Sequence, residues 1–162
     1  KKFDHTKIIL ENSGLGSKEK KLKLKQHYES SSSTIIDFKK DSNYFKKKNK
    51  YLNLKDKIFN EVDINVTTLG NYLIKHKFDE VDLVKIDTEG YELEVLLGLG
   101  EKFEVIKYIM FEHHYDDMLK KQYTFSDIHN LLKNNNFTNI FKIKMPFRKT
   151  FEYIYENKIF KI

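Results

Sequence analysis

The most informative stretch of the sequence runs from Val81 to Gly98 and reads VDLVKIDTEGYELEVLLG. Its first six residues are mostly apolar, as in a buried strand, and the polar residues Asp87 to Gly90 then favour a turn. Beyond the turn, leucines recur at helical spacing until Gly98, a residue type that commonly ends a helix. The stretch therefore predicts a strand, a turn and a helix.

The sequence around this stretch repeats the same alternation of strands and helices. Strands are predicted at Lys7–Glu11, Val62–Val66, Val105–Phe111, Asn139–Lys144 and Phe151–Tyr155, and a half-exposed strand around Leu22 and Leu24. Helices are predicted after Thr67 or Thr68 and after Ser126, whereas the lysine-rich stretch from Asp41 to Lys57 predicts loops. Alternating strands and helices predict an α/β fold with a mostly parallel sheet, closed by an antiparallel pair at the end of the chain.

Length and composition limit the class of protein. The 162 residues fit one domain, and the absence of cysteine excludes disulfides, thiolate metal sites and a cysteine nucleophile. Any metal would have to be held by His, Asp or Glu. No apolar run is long enough for a membrane span, and the first ten residues lack the apolar stretch of a signal peptide, which predicts a cytoplasmic protein.

The charge of the chain is +6, which first suggests binding to nucleic acid. Of the 30 basic residues, however, 29 are Lys and only Arg148 is Arg, the residue type favoured for bidentate recognition of phosphates and bases. Lysine has AT-rich codons, so low genomic GC content accounts for the excess, and we expect no nucleic-acid partner. A non-catalytic, lysine-rich module that binds polyanions remains the alternative function.

Two strand ends carry unusually polar residues, Lys85–Glu92 and Glu112–His114. In an open parallel sheet, ligands bind beyond the carboxyl ends of the strands. The two strands are joined by a single helix, so we expect them side by side, about 4.8 Å apart, with Asp87 and Glu112 facing one crevice. The structural alternative is that Glu89 and Glu92 only stabilise the first turn of a helix.

The 18 residues from Val81 to Gly98 closely resemble the signature of FkbM-type methyltransferases, which are S-adenosylmethionine-dependent O-methyltransferases. Weaker resemblances flank it at Asn12–Gly16, Val62–Leu69 and Ile109–His114. The resemblance implies a Rossmann-like class I methyltransferase fold with strand order 3, 2, 1, 4, 5, 7, 6. Counted in that order, the chain lacks the first two strands, so residues 1–162 are expected to be the carboxyl-terminal part of a methyltransferase domain.

The resemblance also implies the chemistry. S-adenosylmethionine would be the cofactor, and the acceptor a small-molecule or glycan hydroxyl, on a sugar or a secondary metabolite. The residues implied in cofactor binding are Ser13, Gly14, Asp87 and Thr88, with the first two near the adenine. Without the glycine-rich loop that follows the first strand, this chain alone is expected to bind the cofactor poorly and to be inactive.

Asp87 is the first choice for the catalytic residue, with His113 and His114 as alternative general bases. Since side chains alternate along a strand, only one of these histidines can point into the crevice. Lys85 and Glu89 would orient the loop. A second possible mechanism uses a metal ion. By analogy with catechol-type O-methyltransferases, Asp87, Glu112 and His113 would hold Mg²⁺, which would polarise the acceptor hydroxyl.

Overall fold

A computed structural model describes residues 8–27, 33–39, 41–51, 59–146 and 149–160. In chain order the elements are β1 Gly14–Leu15, β2 Lys20–His27, α1 Asn43–Tyr51, β3 Phe59–Thr67, α2 Leu69–Lys75, β4 Val81–Ile86, α3 Glu92–Leu97, β5 Ile106–His114, α4 Phe125–Asn134, β6 Phe137–Lys144 and β7 Thr150–Asn157. Short 3₁₀ helices cover Gly100–Val105 and Lys158–Phe160. The protein is thus a mixed α/β protein with two sheets.

The larger sheet has the strand order β4-β5-β7-β6. β4 and β5 pair in parallel, with Ile86 opposite Phe111, which confirms that the two polar strand ends are neighbours. β7 lies antiparallel between β5 and β6, as expected for a closing pair. This sheet places the end of β4 beside the last residues of β5.

The smaller sheet has the order β1-β3-β2. β2 pairs antiparallel with β3 along its whole length, and Gly14 and Leu15 of β1 pair in parallel with the end of β3. Lysines alternate with Leu22 and Leu24 along β2, so one face of the strand is polar. β1 in this sheet lies close to β4 of the larger sheet, and residues of both strands line one cavity.

The main core lies between the larger sheet and the helices α3 and α4. Its fully buried side chains include Leu96, Ile106, Ile109, Phe111, Ile128, Leu132 and Tyr155. α4 begins at a capping box in which the Thr124 side chain and Asp127 bond each other's backbone N–H groups. In the described ranges, no helix combines the length and the apolar character needed to cross a bilayer.

Three expectations differ from the structure. Among the described residues, three of the five strand pairings are antiparallel, so a mostly parallel, Rossmann-like sheet is not confirmed. Of the strand predicted at Lys7–Glu11, Lys7 lies outside the described residues, and residues 8–11 form no strand. Ile8, Ile9 and Leu10 are exposed, because no described strand lies beside them to pair with. The stretch predicted as loops contains α1, which packs Phe45 against Phe38; residues 52–57 of it lie outside the described residues.

Candidate functional site

Asp87 lies at the start of the turn that follows β4. Its side chain is 50% exposed, and one carboxylate oxygen, Oδ2, lies 3.7 Å from Nζ of Lys85. An exposed ion pair of this kind contributes little to stability. Because half of the side chain is exposed, the carboxylate is accessible for contact with a ligand.

A large cavity of about 1010 Å³ lies along β4, between this strand, α2 and the start of β1. Its walls are mainly apolar, with Leu69, Leu73, Phe78, Leu83 and Val84 among them. We refer to it as the apolar cleft. Its size and character suit a ring system with a few polar groups.

A second cavity of about 510 Å³ lies over the smaller sheet. Polar side chains form part of its wall, namely Asn12, Ser33, Asp63 and Asn65, and Tyr91 also lines it. We refer to it as the polar cavity. Hydroxyl, amide and carboxylate groups can donate and accept hydrogen bonds, as a hydroxylated ligand requires.

Five residues line both cavities: Ser13, Gly14, Leu15, Asp87 and Thr88. All four residues implied in cofactor binding are among them, although they come from two distant parts of the sequence. Since β1 and the end of β4 belong to different sheets, their meeting depends on how the two sheets pack. Asp87 is the carboxylate in this shared wall.

The turn from Asp87 to Gly90 is tied to α3 by the buried side chain of Glu92. Oε1 of Glu92 accepts hydrogen bonds from the Gly90 backbone N–H at 2.9 Å and from the Thr88 hydroxyl at 3.1 Å. The Tyr123 hydroxyl donates to Oε2. Burial, together with the charge of Glu92, raises the pKa of Tyr123.

His114 is enclosed by three carboxylates at the end of β5. Its Nε2 lies 3.2 Å from Oε2 of Glu89 and 3.5 Å from Oε1 of Glu112. Its Nδ1 lies 3.4 Å from Oδ2 of Asp116 and 3.2 Å from the hydroxyl of Thr150. The predicted residues Glu89, Glu112 and His114 thus form one buried charge cluster.

The two adjacent histidines differ in protonation. Burial lowers the pKa of His114, but contacts with Asp116 and Glu89 outweigh burial and raise it to about 10. Burial lowers the pKa of His113 to about 4, and the charges of Lys121 and His114 act in the same direction. At neutral pH, His114 is therefore a cation and His113 is neutral.

His113 points to the opposite side of β5 from Glu112 and His114, as alternation along a strand requires. Its ring packs against the rings of Tyr115, Tyr123 and Phe125. Neither His113 nor His114 lines the cavities that Asp87 lines.

The prediction that Asp87, Glu112 and His113 bind Mg²⁺ together is wrong, because side chains alternate along β5. Glu112 and His113 are consecutive in β5, so their side chains diverge, and Asp87 points into the cavities. Within the part of the chain that the structure describes, no group of three His, Asp or Glu side chains could hold a metal ion.

The pKa of His114 predicts how stability depends on pH. The folded pKa of about 10 exceeds the unfolded value of 6.5, so this histidine stabilises the fold fully below pH 6.5. The contribution is lost as the pH rises towards 10, by up to about 1.4 kcal/mol per pH unit. Urea unfolding between pH 6 and 10 measures this decline. His114→Gln should remove it, and an unchanged slope in that variant would assign the decline to other groups.

Two residues of the site were missed from the sequence. Glu92 was not among the predicted site residues, although it precedes Val95 and Leu96 by three and four residues and shares their buried face. That spacing was a usable signal. Asp116 follows the end of β5 in an irregular segment, and its pairing with His114 has no sequence signature.

Several lysines of the smaller sheet and its surroundings are paired with acidic residues. Lys23 lies 3.2 Å from Glu61 across the β2–β3 pair, and Lys25 contacts Asp37. Such pairing reduces the local excess of positive charge that a polyanion would meet. The polyanion-binding alternative stays a prediction.

The sequence matches a model of a known protein family. A family model described as Methyltransferase FkbM domain matches residues 1–138. Comparisons with curated proteins and with solved structures found no match. The matched range contains every candidate site residue described above.

Proposed function

The chain belongs to the FkbM methyltransferase family, and we propose that it acts in S-adenosylmethionine-dependent O-methylation. The proposed acceptor is a hydroxyl group of a sugar, a glycan or a secondary metabolite. The observation that carries the proposal is the position of Asp87 in the wall shared by the apolar cleft and the polar cavity. One cavity would take the methyl donor and the other the acceptor.

The apolar cleft fits the donor in size and chemistry. Its apolar walls suit an adenine ring, and the carboxylates of Asp87 and Glu80 in its lining suit a sulfonium cation. The polar cavity, with its amide, hydroxyl and carboxylate groups, suits the acceptor. When bound, S-adenosylmethionine supplies an electrophilic methyl group, whose departure leaves a neutral thioether.

Asp87 is the proposed general base. Its carboxylate would accept the proton of an acceptor hydroxyl held at the shared wall and so make that oxygen nucleophilic towards the methyl group that the cofactor would supply. We assign no proton transfer to His114, because three carboxylates enclose it and its raised pKa keeps it protonated. His114 and Glu89 instead hold the turn, and Lys85 balances the charge of Asp87.

We further propose that two additional strands complete the sheet beside β4. The order β4-β5-β7-β6 with an antiparallel β7 equals the second half of the order expected for the family. β4 lies at the edge of the larger sheet, and the apolar cleft runs along it past the exposed Leu83. A strand with apolar residues on both faces is typical of a sheet interior.

Calorimetric titration of S-adenosylmethionine tests this completion. The 162-residue chain alone is expected to bind with a dissociation constant weaker than about 1 mM, since no described residue forms the glycine-rich loop. Micromolar binding by the chain alone would contradict the need for further strands.

The function itself is tested with methyl-labelled S-adenosylmethionine and the natural protein, including any upstream residues that it carries. Candidate acceptors are hydroxylated metabolites, free sugars and glycans, each with a matched O-methylated form in which the reacting hydroxyl is blocked. Label should enter an unblocked acceptor only. Transfer to an amine instead would contradict O-methylation, and transfer to a carboxylate would contradict a hydroxyl acceptor.

A further inference from the structure

We propose that Glu92 is a positioning residue of this site, which holds the turn from Asp87 to Gly90 in its working shape. The effect of Glu92 on catalysis rests on the proposed function. Its structural part concerns the clamp formed by Glu92, Thr88, Gly90 and Tyr123, and it can be tested without any substrate. Glu92 touches no reacting atom in this scheme and acts through the turn.

The burial of Glu92 exceeds what a helix start requires. An acidic residue stabilises the first turn of a helix from the surface, where its charge remains hydrated. Glu92 is only 1% exposed, and burying a carboxylate is costly unless hydrogen bonds replace its water. The sequence therefore keeps a charge in the core at this position, where an apolar side chain would serve the helix alone.

The hydrogen bonds of Glu92 point to what the charge does. Three donors converge on its two oxygens: the Gly90 N–H, the Thr88 hydroxyl and the Tyr123 hydroxyl. Two of these donors belong to the turn, and the third precedes α4 and fixes the carboxylate from the other side. Bonds to a charged acceptor are about twice as strong as neutral ones, so the clamp is rigid.

The backbone of the turn needs such a clamp. Glu89 has φ of 50° and Gly90 has φ of 99°, both in the left-handed region. A non-glycine residue held there is strained and stays so only when its surroundings impose the conformation. Glu92 holds the turn at Gly90, and His114 holds the Glu89 side chain at 3.2 Å.

Thr88 connects the clamp to the cavities. Its hydroxyl donates to Glu92, and the residue lines both the apolar cleft and the polar cavity next to Asp87. A turn released from Glu92 would let Asp87 move relative to both cavities. Small displacements of a reacting group reduce rate more than affinity, because orientation is lost.

Three variants test the clamp. Glu92→Leu removes both acceptors, Glu92→Gln keeps one oxygen for the turn, and Tyr123→Phe removes only the third donor. Glu94→Gln is the matched control, since it removes the same charge from the same helix turn while Glu94 contacts Ser17 and not the Asp87–Gly90 turn.

Amide hydrogen exchange at Gly90 gives the substrate-free result. In Glu92→Leu, this amide should exchange at least about tenfold faster relative to the amides of α4, and Glu92→Gln should restore part of the protection. Tyr123→Phe should give an intermediate acceleration, and it carries the test if Glu92→Leu does not fold. Equal Gly90 exchange in the wild type, Tyr123→Phe and Glu92→Gln would overturn the clamp.

The kinetic result separates positioning from simple stabilisation. In the natural protein, Glu92→Gln should lower kcat at least about tenfold with less than about a twofold change in KM for S-adenosylmethionine, whereas Glu94→Gln should leave kcat unchanged. An equal kcat in Glu92→Gln and Glu94→Gln would overturn the positioning role of Glu92. A wild-type protein that transfers no methyl group would refute the proposed function, while the exchange result would still decide the clamp.

Discussion

Replacing Asp87 by Asn should lower the rate of methyl transfer at least about a hundredfold, because the amide has the same shape but cannot accept the hydroxyl proton. The side chain is half exposed and its ion pair with Lys85 is 3.7 Å long, so the loss of charge should change stability by no more than about 0.5 kcal/mol. Transfer of label from S-adenosylmethionine and urea unfolding measure the two effects.

Asp63→Asn is the matched control for this variant. Asp63 lines the polar cavity but not the wall shared with the apolar cleft, so its loss should change the KM for the acceptor more than kcat. Wild-type kcat in Asp87→Asn would remove Asp87 from the mechanism. An equal loss of kcat in both variants would mean that negative charge in the polar cavity, and not a general base, is what matters.

The local part of the fold was predictable from the stretch Val81–Gly98. The strand, the turn and the helix lie where its apolar pattern and Gly98 predicted them, and β5 follows as the neighbour of β4. These features depend on residues close in sequence. The 3.6-residue and 2-residue periods report such contacts directly.

The pairing of distant segments was not predictable in the same way. The lysine-rich strand β2 pairs antiparallel with β3, although the pattern of Val62–Val66 fits a parallel strand equally well. β1 meets the end of β4 only through the packing of the two sheets. The alternation of side chains would, however, have excluded Glu112 and His113 as ligands of one metal ion.

In the candidate site, too, some features were predictable from the sequence and others depend on distant contacts. Asp87, Glu89 and His114 were chosen because they follow strands, which is a topological rule and independent of side-chain detail. Their separate environments, an exposed cavity wall for Asp87 and a buried charge cluster for His114, depend on Asp116 and on the register of β5 against β7. Sequence periodicity contains no information on these partners.

Replacing Gly98 by Ala should destabilise the protein by about 3 kcal/mol or more, a large share of the stability of a domain this size. A Cβ at this position would lie 2.1 Å from the carbonyl oxygen of Gly16, far inside contact distance. Gly98 also accepts a hydrogen bond at 2.9 Å from the N–H of Gly70 in α2. The three glycines thus join the segment after β1, α2 and the end of α3 by direct backbone contact.

Comparison with Gly100→Ala distinguishes the effect of this close contact from the effect of backbone strain. Gly100 has φ of 57° and no atom within 4 Å of an added Cβ, so alanine there should cost only about 1–2 kcal/mol for the left-handed conformation. Gly98 has φ of −70°, at which alanine is favoured over glycine, so any destabilisation there comes from the contact with Gly16. Urea unfolding should therefore rank Gly98→Ala well below Gly100→Ala in stability. The opposite ranking would mean that α3 does not approach Gly16 this closely. Because the contact is with a main-chain oxygen, no second side-chain substitution at Gly16 can relieve it, and only a shift between the two sheets could.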